Sequence, residues 1–155
     1  MIRHRILAAA LSLSLVAQGL AAGCADSSAA LRWADGSARF TVEIADDAAE
    51  RARGMMFRET LAPTAGMLFI YEPPQPAAFW MKNTLIPLDI LFFDAAGRLV
   101  ALHENAAPQD ETPLPGGDGV AMVLEIPGGR ARDLGLSGRV ELQHPRLPSP
   151  VWPCE

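Results

Sequence analysis

Thirteen prolines and thirteen glycines cut this chain's apolar residues into short runs, and that punctuation limits what it can become. The runs hold about five to seven residues each, the length of a strand and too short for a packed helix. In Phe40-Thr41-Val42-Glu43-Ile44 apolar and polar side chains alternate, so Phe40, Val42 and Ile44 face a core. An Asp35-Gly36 turn joins that strand to residues 31–33 as a hairpin. Residues 66–71 are continuously apolar and read as a buried strand, which Pro73, Pro74 and Pro76 separate from a further strand over 78–84. Residues 88–93 and 98–103 form a second hairpin around Asp94-Ala95-Ala96-Gly97, and 121–126 and 139–142 supply two more strands. Asp47 and Glu50 have capping-box spacing for a short helix that ends at Arg53 before Gly54, and 129–134 reads as another. This order predicts a β-rich α+β fold: a mostly antiparallel curled sheet or small barrel with one or two short helices.

The chain's ends suggest where the protein works. Residues 1–25 read as a signal segment, with Arg3 and Arg5 before an apolar stretch and the small residues Ala21, Ala22 and Gly23 after it. That stretch falls short of the roughly 20 apolar residues a membrane span needs. Residues 84–102 do no better, since they carry Pro87, Asp89, Asp94, Gly97 and Arg98. A small-residue linker is expected to about residue 37, a single domain over 38–144, and a proline-rich tail over 145–155. The expected location is periplasmic, or lipid-anchored in the cell envelope. Leu20-Ala21-Ala22-Gly23-Cys24 resembles a lipobox, with Ala21 where a large aliphatic residue is usual; ordinary cleavage near Ala22 or Ala25 is the alternative. An oxidising compartment also permits a bridge from Cys24 to Cys154, the other cysteine, and one sulfur cannot serve both bridge and lipid.

Charge and motif content narrow the chemistry. Loss of Arg3 and Arg5 with the leader takes the formal charge from -5 to -7. An acidic domain with no basic stripe suits nucleic acid poorly, because phosphates demand Lys and Arg. His103 and His144 have no paired spacing, so no metal site is expected. There is no Gly-x-Ser-x-Gly, and Gly128-Gly129 lacks the Gly-Lys-Ser/Thr of a phosphate loop. Met55, Met56, Met67, Met81 and Met122 lie in apolar runs and read as core rather than copper ligands. No cofactor is called for.

The segments Arg53-Gly54-Met55-Met56-Phe57-Arg58, Gly66-Met67-Leu68-Phe69 and Phe79-Trp80-Met81-Lys82-Asn83-Thr84-Leu85-Ile86-Pro87-Leu88-Asp89-Ile90 resemble the DUF192 family, also called UPF0127. Val123-Leu124-Glu125 followed by Gly128-Gly129 fits the same pattern, and the resemblance covers about residues 40–142. Met55 departs from the more usual leucine, a volume-conserving exchange. The resemblance implies one compact β-rich domain, often exported, with no established activity.

Lys82 stands out because it is the single lysine among thirteen basic residues. On a strand over 78–84, Trp80, Lys82 and Thr84 share one side, while Phe79, Met81 and Asn83 share the other. An aromatic beside an amine makes a ligand platform, to which Asn83 adds an amide. The structural alternative packs the Lys82 stem over Trp80 and pairs its amine with Asp89 or Glu125. Arg53 and Arg58 can each grip an anionic ligand group, though Arg53 also suits its own helix's terminal carbonyls. Asp89 and Glu125 are the candidate catalytic acids, and as a pair they suit general acid–base hydrolysis.

Three readings follow. The first is a non-catalytic envelope module that binds a small polar or glycan-like ligand, or a partner protein, at Trp80, Lys82 and Asn83. The second is a hydrolase acting on envelope polymers through Asp89 or Glu125 with Lys82. In the third the motif only supports folding, and function lies in a long loop over 105–119 or in the tail. Binding requires Trp80 and Lys82 exposed in one concavity, hydrolysis requires two acids flanking it, and the scaffold reading requires a buried Trp80 and a paired Lys82.

Overall fold

A computed structural model describes residues 24–155, so most of the expected signal segment lies outside the described residues. Along the chain run β1 (Ser28–Trp33), β2 (Gly36–Ala45), α1 (Ala48–Arg53), β3 (Ala65–Phe79), β4 (Leu88–Asp94), β5 (Leu99–Ala106), β6 (Leu114–Pro127), α2 (Arg130–Leu134) and β7 (Glu141–Gln143). The seven strands make one sheet in the order β5-β4-β6-β3-β2-β1-β7. β2 and β3 run parallel, with α1 in the crossover between them, and all the other pairs are antiparallel. At one end the two edges meet: Leu99 N donates to Val140 O at 3.0 Å and Leu142 N to Gly97 O at 2.7 Å. Past that bridge the edges part, which leaves a strongly curled half-barrel.

Period-two alternation gives the sheet two cores. Leu68, Ile70, Leu91, Phe93, Leu124 and Ile126 point into the curl and meet Leu31, Phe40 and Val42. Residues of the opposite parity, Met67, Phe69, Ile90, Phe92 and Val123, form a second core on the outer face. What covers that outer face is the far half of the β3–β6 pair. β3 runs on through Pro73, Pro74 and Pro76 to Phe79, where the sequence suggests a break. The prolines are tolerated because the pairing jumps from Ile70↔Met122 to Gln75↔Val120 and then to Ala77↔Gly117, so they owe the ladder no N–H. β6 correspondingly begins at Leu114, inside the stretch expected to be a long loop, which shrinks to residues 107–113. The arm packs down through Phe79, edge-on to Phe69 at 4.8 Å and to Phe92 at 5.5 Å. Gly116 lies so close to the Phe92 ring that a Cβ there would overlap it at 1.9 Å.

The smaller elements follow their local signals. Glu50 N donates to Asp47 Oδ1 at 2.8 Å and Asp47 N to Glu50 Oε2 at 3.4 Å, the capping box that starts α1. β1 starts at Ser28 and buries Ala29 and Ala30, so the sheet takes in part of the stretch expected as a linker. The tail is held on the β4–β5 turn, with Ser149 N donating to Ala95 O and Val151 N to Ala96 O, both at 3.0 Å. Cys24 and Cys154 form a disulfide with their Cα atoms 5.6 Å apart, which uses the sulfur that a lipid anchor would need. Among the described residues no helix is long and apolar enough to cross a membrane.

Asp89 is fully buried, and its carboxylate organises one end of the sheet. Oδ1 accepts from Asn105 N at 2.7 Å and Gly129 N at 2.8 Å, and Oδ2 accepts from Ala131 N at 2.6 Å. One side chain thereby ties β4 to the end of β5 and to the start of α2. Asp89→Ala leaves three amide donors without a partner. It should lower the unfolding free energy in urea by about 3 kcal/mol or more, while Asp89→Asn loses less. A change under about 1 kcal/mol in Asp89→Ala would show that the carboxylate is dispensable.

Candidate functional site

The site begins as one row across the outer face, where register sets Glu43 of β2, Met67 of β3, Glu125 of β6 and Ile90 of β4 side by side. Glu43, at the exposed end of this row, is paired: Arg58 Nη1 and Nη2 donate to its two carboxylate oxygens at 2.6 and 2.5 Å. That bidentate grip holds the Glu43 carboxyl below its ordinary range. Glu125 is 4 % exposed, and its Oε2 has no hydrogen-bond partner. Burial pushes its carboxyl up to about 8, against a smaller downward pull from the Arg58 charge. At neutral pH it is an uncharged acid.

A cleft of about 110 Å³ opens over Glu125. Arg53 comes to it from the end of α1, Tyr71 and Phe79 from β3, and Trp80 and Lys82 from the segment after β3. That segment is a turn rather than the expected strand. β3 ends at Phe79, Asn83 takes φ +55°, Met81 N donates to Asp110 O at 2.7 Å, and Phe57 N donates to Asn83 O at 2.8 Å. Strand alternation therefore does not align Trp80, Lys82 and Thr84, yet all three line the cleft, Thr84 as a buried residue. Turn geometry still brings Trp80 and Lys82 together, with Lys82 Nζ 4.9 Å from the Trp80 ring centre. Trp80 is 47 % exposed at the mouth, and Lys82 has no ion pair among the described residues.

The other expected site residues divide. Arg53 lines the cleft, and its guanidinium has neither an ion pair nor a hydrogen bond to its helix's terminal carbonyls among the described residues. Arg58 is occupied by Glu43 and does not line the cleft. Asn83 lies off the cleft and places its Nδ2 3.8 Å from Met56 Sδ, so it shapes the turn. Asp89 has the strand parity of Leu91 and Phe93, which face into the curl, whereas Glu125 shares the parity of outward-facing Val123. The two acids thus point to opposite faces of the sheet and do not form a catalytic pair. Two residues that the sequence did not single out belong to the cleft, Arg51 and Tyr71. Arg51 donates to Asp46 O and, at 3.0 Å, to Ile70 O, and its guanidinium lies 5.2 Å from the Tyr71 ring centre. No spacing rule marks them; Tyr71's standing as the sole tyrosine, closing the apolar run of β3, was the available hint.

This curled sheet with a roofed outer face defines a class of small β-rich domains, and the chain belongs to the DUF192 family. The family model, described as "Uncharacterized ACR", matches residues 30–144. The chain is similar to a crystal structure of a protein of unknown function from Novosphingobium aromaticivorans DSM 12444. That likeness has 42% identity and a TM-score of 0.72, and covers 74% of this chain and 82% of the other. It is also similar to a Sinorhizobium meliloti 1021 protein titled a "putative transcription regulator", with 39% identity and a TM-score of 0.72, covering 77% of this chain and 94% of that one. No curated protein matches the chain.

The buried acid has a stability signature. The folded carboxyl keeps its proton to about 8, whereas the unfolded one releases it near 4.5, so between those values the native state holds the extra proton. Stability then falls as pH rises through this window, by at most about 1.4 kcal/mol per pH unit. Urea unfolding of Glu125→Gln at pH 5 and pH 8 should lack most of that fall. Parallel pH dependence in the two proteins would mean that Glu125 is ionised in the fold.

Proposed function

We propose that this protein is an exported, non-catalytic binding module whose cleft over Glu125 takes a small polar, glycan-like ligand. The observation that carries this reading is a neutral acid, its Oε2 buried without a partner, lining a cleft whose rim holds a half-exposed Trp80 and, over its ring, a Lys82 that has no ion pair among the described residues. A scaffold role shares the contact of Lys82 with Trp80 but also predicts a buried tryptophan and an ion pair from Lys82 to Asp89 or Glu125, whereas Trp80 is half exposed and Lys82 has no ion pair among the described residues. Hydrolysis by two carboxylates loses support because Asp89 faces away and is bound by three backbone amides. Export is favoured by the leader's pattern and by the Cys24–Cys154 disulfide, which persists in oxidising compartments. The regulator wording attached to the Sinorhizobium protein finds no support in this chain, whose charge without the leader is acidic.

A thermal-shift panel of envelope saccharides, peptidoglycan fragments, nucleotides and divalent metals tests this reading. A ligand at a hundred times its dissociation constant should stabilise the protein by about 2.7 kcal/mol. The shift should vanish in Lys82→Ala and Trp80→Ala, both of which should melt within a few degrees of wild type when unliganded. A sharp fall in the melting point of unliganded Lys82→Ala, with no ligand shifting the wild type, would make the motif part of the scaffold.

A further inference from the structure

Cleft size and charge narrow the ligand further. A cavity of roughly 150 Å³ accepts a benzene ring, so about 110 Å³ accommodates a head group and little more. The rest of any ligand must lie at the open mouth, where Trp80 is about half exposed beside the Lys82 amine that lies over its ring. The charged side chains that line the cleft with Glu125 are basic, Arg51 and Arg53 from α1 and Lys82 from the turn after β3. Arg58, from the segment after α1, lies outside the lining, and its charge acts on the Glu125 carboxyl. Beside them, β3 contributes the Tyr71 hydroxyl, β4 contributes only apolar side chains, and Glu43 is neutralised by Arg58. Arg51 is committed to two backbone carbonyls, which leaves Arg53 and Lys82 as cations free to meet a ligand. A positively charged ligand would meet repulsion from the cleft's own cations, Arg51, Arg53 and Lys82.

We infer that the ligand carries one anionic group, a carboxylate or a phosphate, which enters the cleft between Lys82 and Arg53 onto the Glu125 carboxyl while a ring body lies on Trp80. This inference rests on the binding reading above. Lys82 and Arg53 supply charge, and the protonated Glu125 carboxyl donates its hydrogen bond to the anion. An ionised Glu125 would repel the same group. Binding should therefore weaken about tenfold between pH 7 and pH 9, as a carboxyl titrating near 8 loses its proton.

The test compares glucuronate, glucose 6-phosphate, glucose and glucosamine, with benzoate and benzamide as an aromatic pair. Each is titrated into the full disulfide-bonded protein while the backbone amides of Arg53, Gly54, Trp80 and Lys82 are followed by NMR. The acidic probes should bind at least tenfold more tightly than glucose or benzamide, and Lys82→Gln should remove that preference. The ratio of glucuronate to glucose 6-phosphate affinity then decides between the two anion sources. Glu125→Gln, which still offers a donor, should keep acid binding but lose the fall between pH 7 and pH 9. Neutral probes binding as tightly as acids, or glucosamine binding best, would overturn the anionic ligand and leave the binding module standing. If no probe moves the cleft amides, both the inference and the binding module fall.

Discussion

The β3–β6 pair is the interaction on which the rest of the structure depends. Its first half, Met67 to Ile70 against Met122 to Glu125, is an ordinary central ladder with side chains on both faces. Its second half carries three prolines on one strand and three glycines on the other, and it folds back over the outer face. Without that arm Phe69 and Phe92 would lie open to water, and so would the Glu125 carboxyl. With it, the outer face becomes a second core, and the acid in its row is desolvated. Gly116 makes the approach possible, because only a residue with no side chain can lie against the Phe92 ring.

Burial of an unpartnered acid opposes folding, and the fold has an evident way to avoid it. Glu43, two strands away in the same row, is gripped by Arg58. Glu125 is left without such a partner, although Arg53 and Lys82 stand around the cleft above it. Sites that bind or react commonly keep such a local misfit, which the surrounding packing over-determines. Here the surroundings are well secured: three amides hold Asp89 at one end of β4, and the disulfide joins the two ends of the described chain.

Much of this was legible in the sequence, and the failures share a cause. Alternation in residues 40–44, the capping box at Asp47 and Glu50, and the Asp94–Gly97 turn each carry a local signal, and each appears as expected. The β3–β6 arm was hidden because prolines and glycines ordinarily end strands; here register shifts excuse the missing N–H groups. That same misreading made Trp80 to Thr84 a strand, when Asn83 at positive φ turns the chain. Trp80 and Lys82 survive as neighbours because residues two apart stay close under either geometry. Pairing Asp89 with Glu125 failed for a different reason. Which face an acid takes depends on register between β4 and β6, and register is a long-range property. No local pattern joins Arg51 to Tyr71, because only the folded crossover brings α1 over β3.

The account turns on Glu125 being an uncharged acid under the cleft. The most direct measurement is an NMR titration of its side-chain carboxyl carbon, assigned by comparison with Glu125→Gln. The structure predicts a midpoint near 8, well above the ordinary 4.5. A midpoint close to 4.5 would place an ionised, solvated carboxylate there and contradict both the buried acid and the ligand chemistry built on it.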